Sequence, residues 1–370
     1  MSQVNHPTGR ARAGLRRSLL SWYDRSRRDL PWRRDPSPYR VVLSEFLLQQ
    51  TRVDTVVPYF ERFVERFPSI ESLASAPLDD VLKCWEGLGY YARARNLHAA
   101  AREIVERHEG KVPDRADDLS NLKGFGPYTT AAVASIAFDL PHAVVDGNVI
   151  RVLSRLCAIK DDVARADVRT RISEIAQDLL DPVRPGDANQ AAMELGATLC
   201  SPRNPDCPQC PIARHCRGRK LGIQTDLPVK SKRGSRQKRT EVAVVLRRNT
   251  SVLVAKRPEE GLLGGLWEFP TVPVQSNQGK KDWGNALSDR TGLNVSIEGR
   301  LQTLHHAFTH FELELKAYEG QATGKNLRPT GYTEIRWAKE ADLDRLAFSR
   351  VHRRLADYIA MPHQLELTSV

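Results

Sequence analysis

Residues 122–128 read Leu-Lys-Gly-Phe-Gly-Pro-Tyr; an alanine-rich run follows, then Val145-Asp146-Gly147-Asn148-Val149, ending at Arg151. Gly124 and Gly126 flank one apolar residue, so the backbone turns tightly there and presents bare N–H groups. Pro127 suits the first turn of a helix, where its missing N–H costs nothing. A glycine hairpin opening onto a helix N-terminus makes a phosphate cradle. Asp146 closes a second apolar connection and precedes Val149, Ile150, Val152, Leu153 and Leu156. Its local chemistry leaves two roles open: a helix N-cap, or an anion that meets what the hairpin holds. The hairpin itself points to a nucleic-acid backbone.

Composition narrows the partner. A chain of 370 residues suggests two domains, and 41% hydrophobic residues suffice for ordinary cores. No apolar run approaches the roughly 18–20 residues needed to span a bilayer. The net charge of +11 favours a polyanion. Basicity alone fits DNA, RNA or an anionic membrane, but no lipid-anchoring motif supports the last. The arginine-containing start faintly resembles a transit peptide but lacks a cleavage region. Residues 1–14 are therefore expected to be a disordered tail, followed by a helix bearing Leu15, Leu19, Leu20, Trp22 and Tyr23.

Six cysteines are present. With no secretion signal, a reducing compartment is expected, cytoplasmic and nucleoid-associated if bacterial, where clustered cysteines mean metal rather than disulfides. Cys200, Cys207, Cys210 and Cys216 have the spacing C-x6-C-x2-C-x5-C. Four thiolates suit zinc or iron–sulfur equally on spacing alone. Arg203, Arg214, Arg217 and Arg219 surround them and could face phosphate. Cys84 and Cys157 lie in apolar helical stretches and read as core.

Upstream, residues 30–38 carry Trp32 and Arg33 among Pro31, Pro36 and Pro38 and read as a loop. Val41 to Arg52 reads as a helix in which Glu45 shares a face with Val41, Leu48 and Gln49. A carboxylate among apolar neighbours has a raised pKa and can serve as a general acid; at the helix edge it would merely face water. Gln49-Gln50-Thr51-Arg52 can reach base edges. Gly87-Leu88-Gly89-Tyr90-Tyr91 is a second glycine-flanked turn, where an exposed Tyr90 could wedge into a base stack. Further helices are expected at 56–67, 78–85, 93–108, 168–180 and 188–199, so the domain is all-α.

Residues 217–239 hold nine basic side chains, among them Lys232 and Arg233, against Asp226, and read as a linker. From Glu241 the pattern alternates: Val242, Val244 and Leu246; Val252 and Val254; Phe311, Leu313 and Leu315. These are half-buried strands. With helices at Trp283–Arg290 and Leu343–Ile359, the second domain is α+β.

Residues 22–217 resemble the MutY adenine DNA glycosylases of the endonuclease III superfamily. The resemblance rests on Leu30-Pro31-Trp32-Arg33, Ser44-Glu45, Leu48-Gln49-Gln50-Thr51-Arg52, Trp85-Glu86-Gly87-Leu88-Gly89-Tyr90-Tyr91, the hairpin at 122–129, Val145-Asp146-Gly147-Asn148-Val149 and the four cysteines. Gly261-Leu262-Leu263-Gly264-Gly265-Leu266-Trp267-Glu268-Phe269-Pro270 with Thr291-Gly292-Leu293 resembles the Nudix fold that this family carries as its C-terminal domain.

The resemblance implies a helix-hairpin-helix glycosylase domain at 15–217 with a [4Fe–4S] loop at 200–216, a basic linker at 218–240 and a Nudix-like recognition domain at 241–365. It implies Glu45 as general acid, Asp146 as the anion facing an oxocarbenium-like sugar, and Tyr128 and Asn148 as their supports. Gln50, Tyr90, Lys123, Gly124 and Gly126 would hold DNA, while Trp32, Arg33 and Gln190 would line the adenine pocket. Phe308, Thr309 and His310 would read 8-oxoguanine, with Thr309 where the family usually has serine. The cofactor would be a [4Fe–4S] cluster held by the four cysteines. The partner would be double-stranded DNA carrying A:8-oxoguanine or A:G, bound by a monomer away from any membrane.

One position bears on the branch. Lyases of the superfamily carry a lysine two residues after the second hairpin glycine; here that residue is Tyr128, and a phenol forms no Schiff base. A monofunctional enzyme is expected. The alternatives are a bifunctional glycosylase/lyase and a non-catalytic repair scaffold. A nucleotide pyrophosphohydrolase would need acidic pairs where the chain has Asn285-Ala286 and Asp289-Arg290.

Overall fold

A computed structural model describes residues 6–231 and 236–360. Residues 1–5 of the expected tail, 232–235 of the linker (with Lys232 and Arg233) and 361–365 of the second domain lie outside the described residues. The chain forms two compact units, residues 1–75 with 99–233, and residues 76–98 with 234–370. The helices are α1 (Gly9–Ser26), α2 (Pro31–Arg34), α3 (Pro38–Leu48), α4 (Val53–Arg66), α5 (Ile70–Ser75), α6 (Leu78–Trp85), α7 (Ala92–His108), α8 (Ala116–Asn121), α9 (Pro127–Phe138), α10 (Gly147–Cys157), α11 (Ala166–Leu179), α12 (Pro185–Thr198) and α13 (Arg217–Lys220), followed by α14 (Lys280–Thr291) and α15 (Arg350–Ala360). No helix among the described residues is long and apolar enough to cross a membrane.

In the first unit, α1 presents Leu15, Leu19 and Tyr23 as one stripe. That stripe packs with Val149, Val152, Leu153 and Leu156 of α10, Ile172 and Ile175 of α11, and Leu195 of α12. The helix begins at Gly9, so residues 9–14 are not tail. They are tied down by Arg12, which pairs with Asp178, as does His6 at 2.9 Å. Between α8 and α9 lies the glycine hairpin. Gly124 adopts φ +81, which glycine alone takes freely, and Gly126 caps α9 ahead of Pro127. Phe125 meets Phe46 of α3 edge-on at 5.5 Å, which fixes the hairpin on the helix that carries Glu45. Helices α10 and α12 touch directly: a Cβ on Gly196 would lie 2.6 Å from Cβ of Asn148.

Three local expectations need correction here. Residues 30–38 contain the one-turn helix α2, opened by Pro31 at its first position. Helix α3 ends at Leu48 rather than Arg52, because Gln50 takes a left-handed φ of 58. The first part of the expected linker is held in place: the Val163 N–H donates to the Val229 carbonyl at 3.0 Å, and Arg155 Nε donates to the Leu227 carbonyl at 3.0 Å.

The second unit is built on β1 (Gln237–Arg248), β2 (Ser251–Lys256), β3 (Trp267–Glu268), β4 (Thr271–Pro273), β5 (Asn294–Ala307), β6 (Phe311–Thr323) and β7 (Glu334–Lys339). The strand order is β3-β2-β1-β6-β5, with β4 pairing with β1 and β7 with β2. β1 and β6 run parallel, from Gln237 opposite Phe311 to Leu246 opposite Gly320. On one face Ala243 and Val245 pack with Val351, Leu355 and Ile359 of α15. On the other, Val242, Val244 and Leu246 pack with Leu287 of α14. β1 is thus buried on both faces, not half-buried, which is why it reads Val-Ala-Val-Val-Leu without polar alternation. The single helix expected at Leu343–Ile359 is also broken. A 3₁₀ turn ends at Arg345, and the Trp267 N–H then donates to the Ala347 carbonyl at 2.9 Å before α15 starts.

Residues 76–98 fall inside the stretch expected to be one helical domain, yet they belong to this second unit. Polar contacts explain it. Asp79 pairs with Lys256 at 2.6 Å, Glu86 with Arg353 at 2.6 Å, and Arg95 donates to the Gly264 carbonyl at 2.7 Å.

Candidate functional site

Glu45 lies on α3 and is 4% exposed. It is buried because Val41, Val42, Leu43, Phe46 and Leu47 around it are buried core. The Tyr128 hydroxyl, from the first turn of α9, donates to Glu45 Oε2 at 2.7 Å. Burial pushes the Glu45 carboxyl up to about 7; the Tyr128 hydrogen bond opposes this, and nearby Asp146 adds to it. Burial and the adjacent Glu45 raise the Tyr128 phenol well above its ordinary value, so it stays protonated and remains the donor.

Asp146 is an N-cap: Oδ1 accepts from the Val149 N–H at 2.7 Å. The cap also aims it, since the residue lines the same pocket as Glu45. Oδ2 accepts from Asn148 Nδ2 at 2.8 Å. Burial raises its pKa, while the Val149 N–H, Asn148 and Arg151 favour the charged form. The residue is thus an N-cap whose side chain also faces the pocket.

The pocket, about 380 Å³, is lined by Trp32, Arg33, Glu45, Tyr128, Asp146 and Gln190, and also by Asn148 and Glu194. Trp32 is held edge-on against Phe60 at 5.4 Å. Arg33 donates from Nε to Gln190 Oε1 at 3.0 Å and from Nη2 to Glu194 Oε2 at 2.9 Å. The sequence reading missed Glu194, which is 1% exposed and also accepts from Arg28 at 2.6 Å. It stands four residues after Gln190 on α12, a spacing that puts both on one face. Arg151 was missed too: it donates to Asn148 Oδ1 at 2.8 Å and to the Cys200 carbonyl at 2.8 Å.

Gln50 and Lys123 are exposed, at the end of α3 and in the hairpin respectively, and neither lines the pocket. Tyr90, 46% exposed with φ 49, belongs to the second unit. Its hydroxyl lies 2.6 Å from Oγ1 of Thr309. Thr309 sits at the β5–β6 turn, closed by a hydrogen bond from the Phe308 N–H to the Phe311 carbonyl at 2.8 Å. Phe308 stacks on Phe311 at 4.5 Å. Residues singled out separately, Tyr90 and Thr309, thus meet.

Cys200, Cys207, Cys210 and Cys216 line one small cleft of about 30 Å³ together with Arg155. Burial, and then the neighbouring thiols, push Cys210 up to about 11 and raise Cys216. Among the described residues no three His, Cys, Asp or Glu side chains converge as one metal ion requires. Arg155, 1% exposed, donates to Cys200 Sγ at 3.3 Å and to the Ser201 and Pro202 carbonyls at 2.7 and 2.9 Å.

Residues 43–178 match the family of HhH-GPD superfamily base excision DNA repair proteins, and residues 241–358 match the NUDIX domain. The chain is 36% identical to the adenine DNA glycosylase of Rattus norvegicus, over 92% of this chain and 77% of that one. It is 36% identical to that of Homo sapiens, over 92% of this chain and 73% of the other. A thermostable thymine-DNA glycosylase superposes with a TM-score of 0.50 at 27% identity, covering 57% of this chain and 97% of its own. With relatives matched over most of their length on both sides, this chain belongs to the adenine DNA glycosylase family.

Proposed function

We propose that this chain hydrolyses the N-glycosidic bond of adenine mispaired with 8-oxoguanine or guanine in duplex DNA, acting as a monofunctional glycosylase in base excision repair. The observation that carries the chemistry is the buried carboxyl of Glu45, raised to about 7 and hydrogen-bonded by Tyr128 in one pocket with Asp146. Adenine leaves poorly as an anion. Glu45 donates a proton to a ring nitrogen so that the base departs neutral. The sugar then carries oxocarbenium charge, which the Asp146 carboxylate, accepting from the Val149 N–H and Asn148, stabilises until water adds at the anomeric carbon and gives up a proton that restores the acid form of Glu45. Trp32, Arg33 and Gln190 surround the extruded base, and Gly124, Gly126 and Lys123 grip backbone phosphate. Gln50 and Tyr90 fill the gap in the stack, and Phe308, Thr309 and His310 read the opposite base. A tyrosine at position 128 supports hydrolysis without lyase chemistry. The enzyme works as a monomer wherever the cell keeps its DNA, the nucleoid in a bacterium.

The four cysteines fit a [4Fe–4S] cluster. They share one cleft with Arg155, and four thiolates are the donor set that such a cluster takes. When bound, the cluster cross-links residues 200–216 and offsets thiolate charge. Arg155 fixes the strand of the loop that bears Cys200.

The test is single-turnover release of adenine from duplexes carrying A:8-oxoguanine, A:G or A:T, for the wild type and Glu45→Gln. Fast release from A:8-oxoguanine that disappears in the variant is expected. Tight binding without release in the wild type would leave only a scaffold.

A further inference from the structure

A concavity of about 240 Å³ in the second unit is lined by His305, His306, Arg350, Val351 and Arg354. His306 is opposite Leu313 in the β5–β6 register, so it lies on the face that α15 covers. Arg350 and Arg354 are one helical turn apart on α15 and share a face. His305, opposite Glu314, belongs to the other face and contributes at the rim. No carboxylate among the described residues pairs with Arg350 or Arg354, and the first turn of α15 contains no acidic residue. Two guanidiniums, one imidazole and the positive end of an eleven-residue helix therefore face one hollow with no counter-ion among the described residues. Burial, and then the two arginines, lower the pKa of His306.

The hollow adjoins the turn assigned to base reading. The His306 ring meets Phe308 edge-on at 4.6 Å. Only Ala307 lies between them in sequence, so their Cα atoms are roughly 7 Å apart at the usual rise. That is within the span of one nucleotide. Paired guanidiniums match the oxygens of a phosphate.

We infer that His306, Arg350 and Arg354 form a subsite for one backbone phosphodiester of the strand whose base meets Phe308, Thr309 and His310. The subsite rests on the reading role proposed for that turn, and the following experiment separates the two.

Binding of the full chain to a duplex with one A:8-oxoguanine pair is followed by fluorescence anisotropy across a salt series. The Arg350→Ala/Arg354→Ala double variant binds more weakly, and its slope of log affinity against log salt is smaller by about 0.9 for the one phosphate lost. The Arg350→Lys/Arg354→Lys pair retains the slope, and both side chains being exposed, the thermal midpoint of each variant stays at the wild-type value. A single neutral methylphosphonate beside the 8-oxoguanine reproduces the loss in wild type and adds nothing in the alanine pair. An unchanged slope, or no linkage at which the two changes overlap, overturns the proposal. Saturable binding of inorganic phosphate with no linkage-specific effect overturns the backbone assignment as well. Thr309→Ala is run alongside. If it leaves mispair preference intact while the slope falls as expected, the turn's reading role fails and the phosphate subsite stands.

Discussion

Nη2 of Arg151 lies 2.8 Å from Oδ1 of Asn148, and that bond is the middle link between Asp146 and the cysteine loop. The Asn148 amide uses its NH₂ on Asp146 and its oxygen on Arg151, so its orientation is fixed from both sides. Arg151 is itself held by the Cys200 and Gly196 carbonyls at 2.8 and 2.7 Å. Arg151→Ala should release Asn148 and let Asp146 drift while leaving the pocket's other walls intact. Single-turnover adenine release should fall by about 10- to 100-fold, in the range a misplaced catalytic group produces. A rate within twofold of wild type would show that the cap alone positions Asp146.

Loss of Glu45 should remove general acid catalysis, a factor of roughly 10²–10⁴. Glu45→Gln should keep duplex affinity near wild type, which a parallel binding measurement would establish. In the wild type, release should decline as pH rises through about 7, where the acid form is lost. Tyr128→Phe removes the bond that lowers this pKa, so the declining limb should move to higher pH.

The same carboxyl makes stability depend on pH. Its folded pKa, about 7, exceeds the ordinary 4.5. Its contribution is therefore fully present below pH ~4.5 and lost as pH rises through ~7. The full span is on the order of 3 kcal/mol. Denaturant unfolding between pH 5 and 8 should show a decline in the wild type that is flattened in Glu45→Gln.

Thr309 and Tyr90 share a hydroxyl contact that serine would preserve. Thr309→Ala should lose preference for A:8-oxoguanine over A:G, whereas Thr309→Ser should keep it. Equal preference in both variants would assign discrimination elsewhere.

Arg155 is the buried cation of the cysteine loop. Arg155→Leu strips donors from the Leu227, Ser201 and Pro202 carbonyls and should destabilise the protein by about 3–5 kcal/mol. The measurement is a chemical denaturation midpoint together with iron content per chain. Retention of both would make the residue dispensable.

Legibility differed between parts of the molecule. Glycine, proline and aspartate at 124–127 and 146 declared their turns and cap directly, because backbone conformation limits which residues fit. Glu45 was legible as a carboxylate on an apolar face, but its partner came from residue 128, and only the fold brings the two to 2.7 Å. Glu194, Arg151 and Arg155 looked like ordinary charged helix residues; their roles arise from carbonyls and guanidiniums supplied by distant segments. β1 was legible as a strand from Val242, Val244 and Leu246, but its second covered face was not, since the intervening Ala243 and Val245 are buried by α15, which comes from a hundred residues later. Residues 76–98 carry helical patterning indistinguishable from their neighbours, so nothing local announced their attachment to the sheet.

That attachment has a consequence for how the chain matures as it is made. Residues 76–98 leave the ribosome early, yet their unit is completed only by the strands and helices that begin after residue 233. At about 5–20 residues per second, the roughly 260 residues from 99 to 360 take on the order of 10–50 s. For that interval α6 and the Tyr90 turn must wait without their final neighbours, while the first unit gains its own once residues 99–233 are made. A chain stopped within the linker would therefore strand a segment belonging to the unmade half, and no single cut could divide this protein into two self-sufficient pieces.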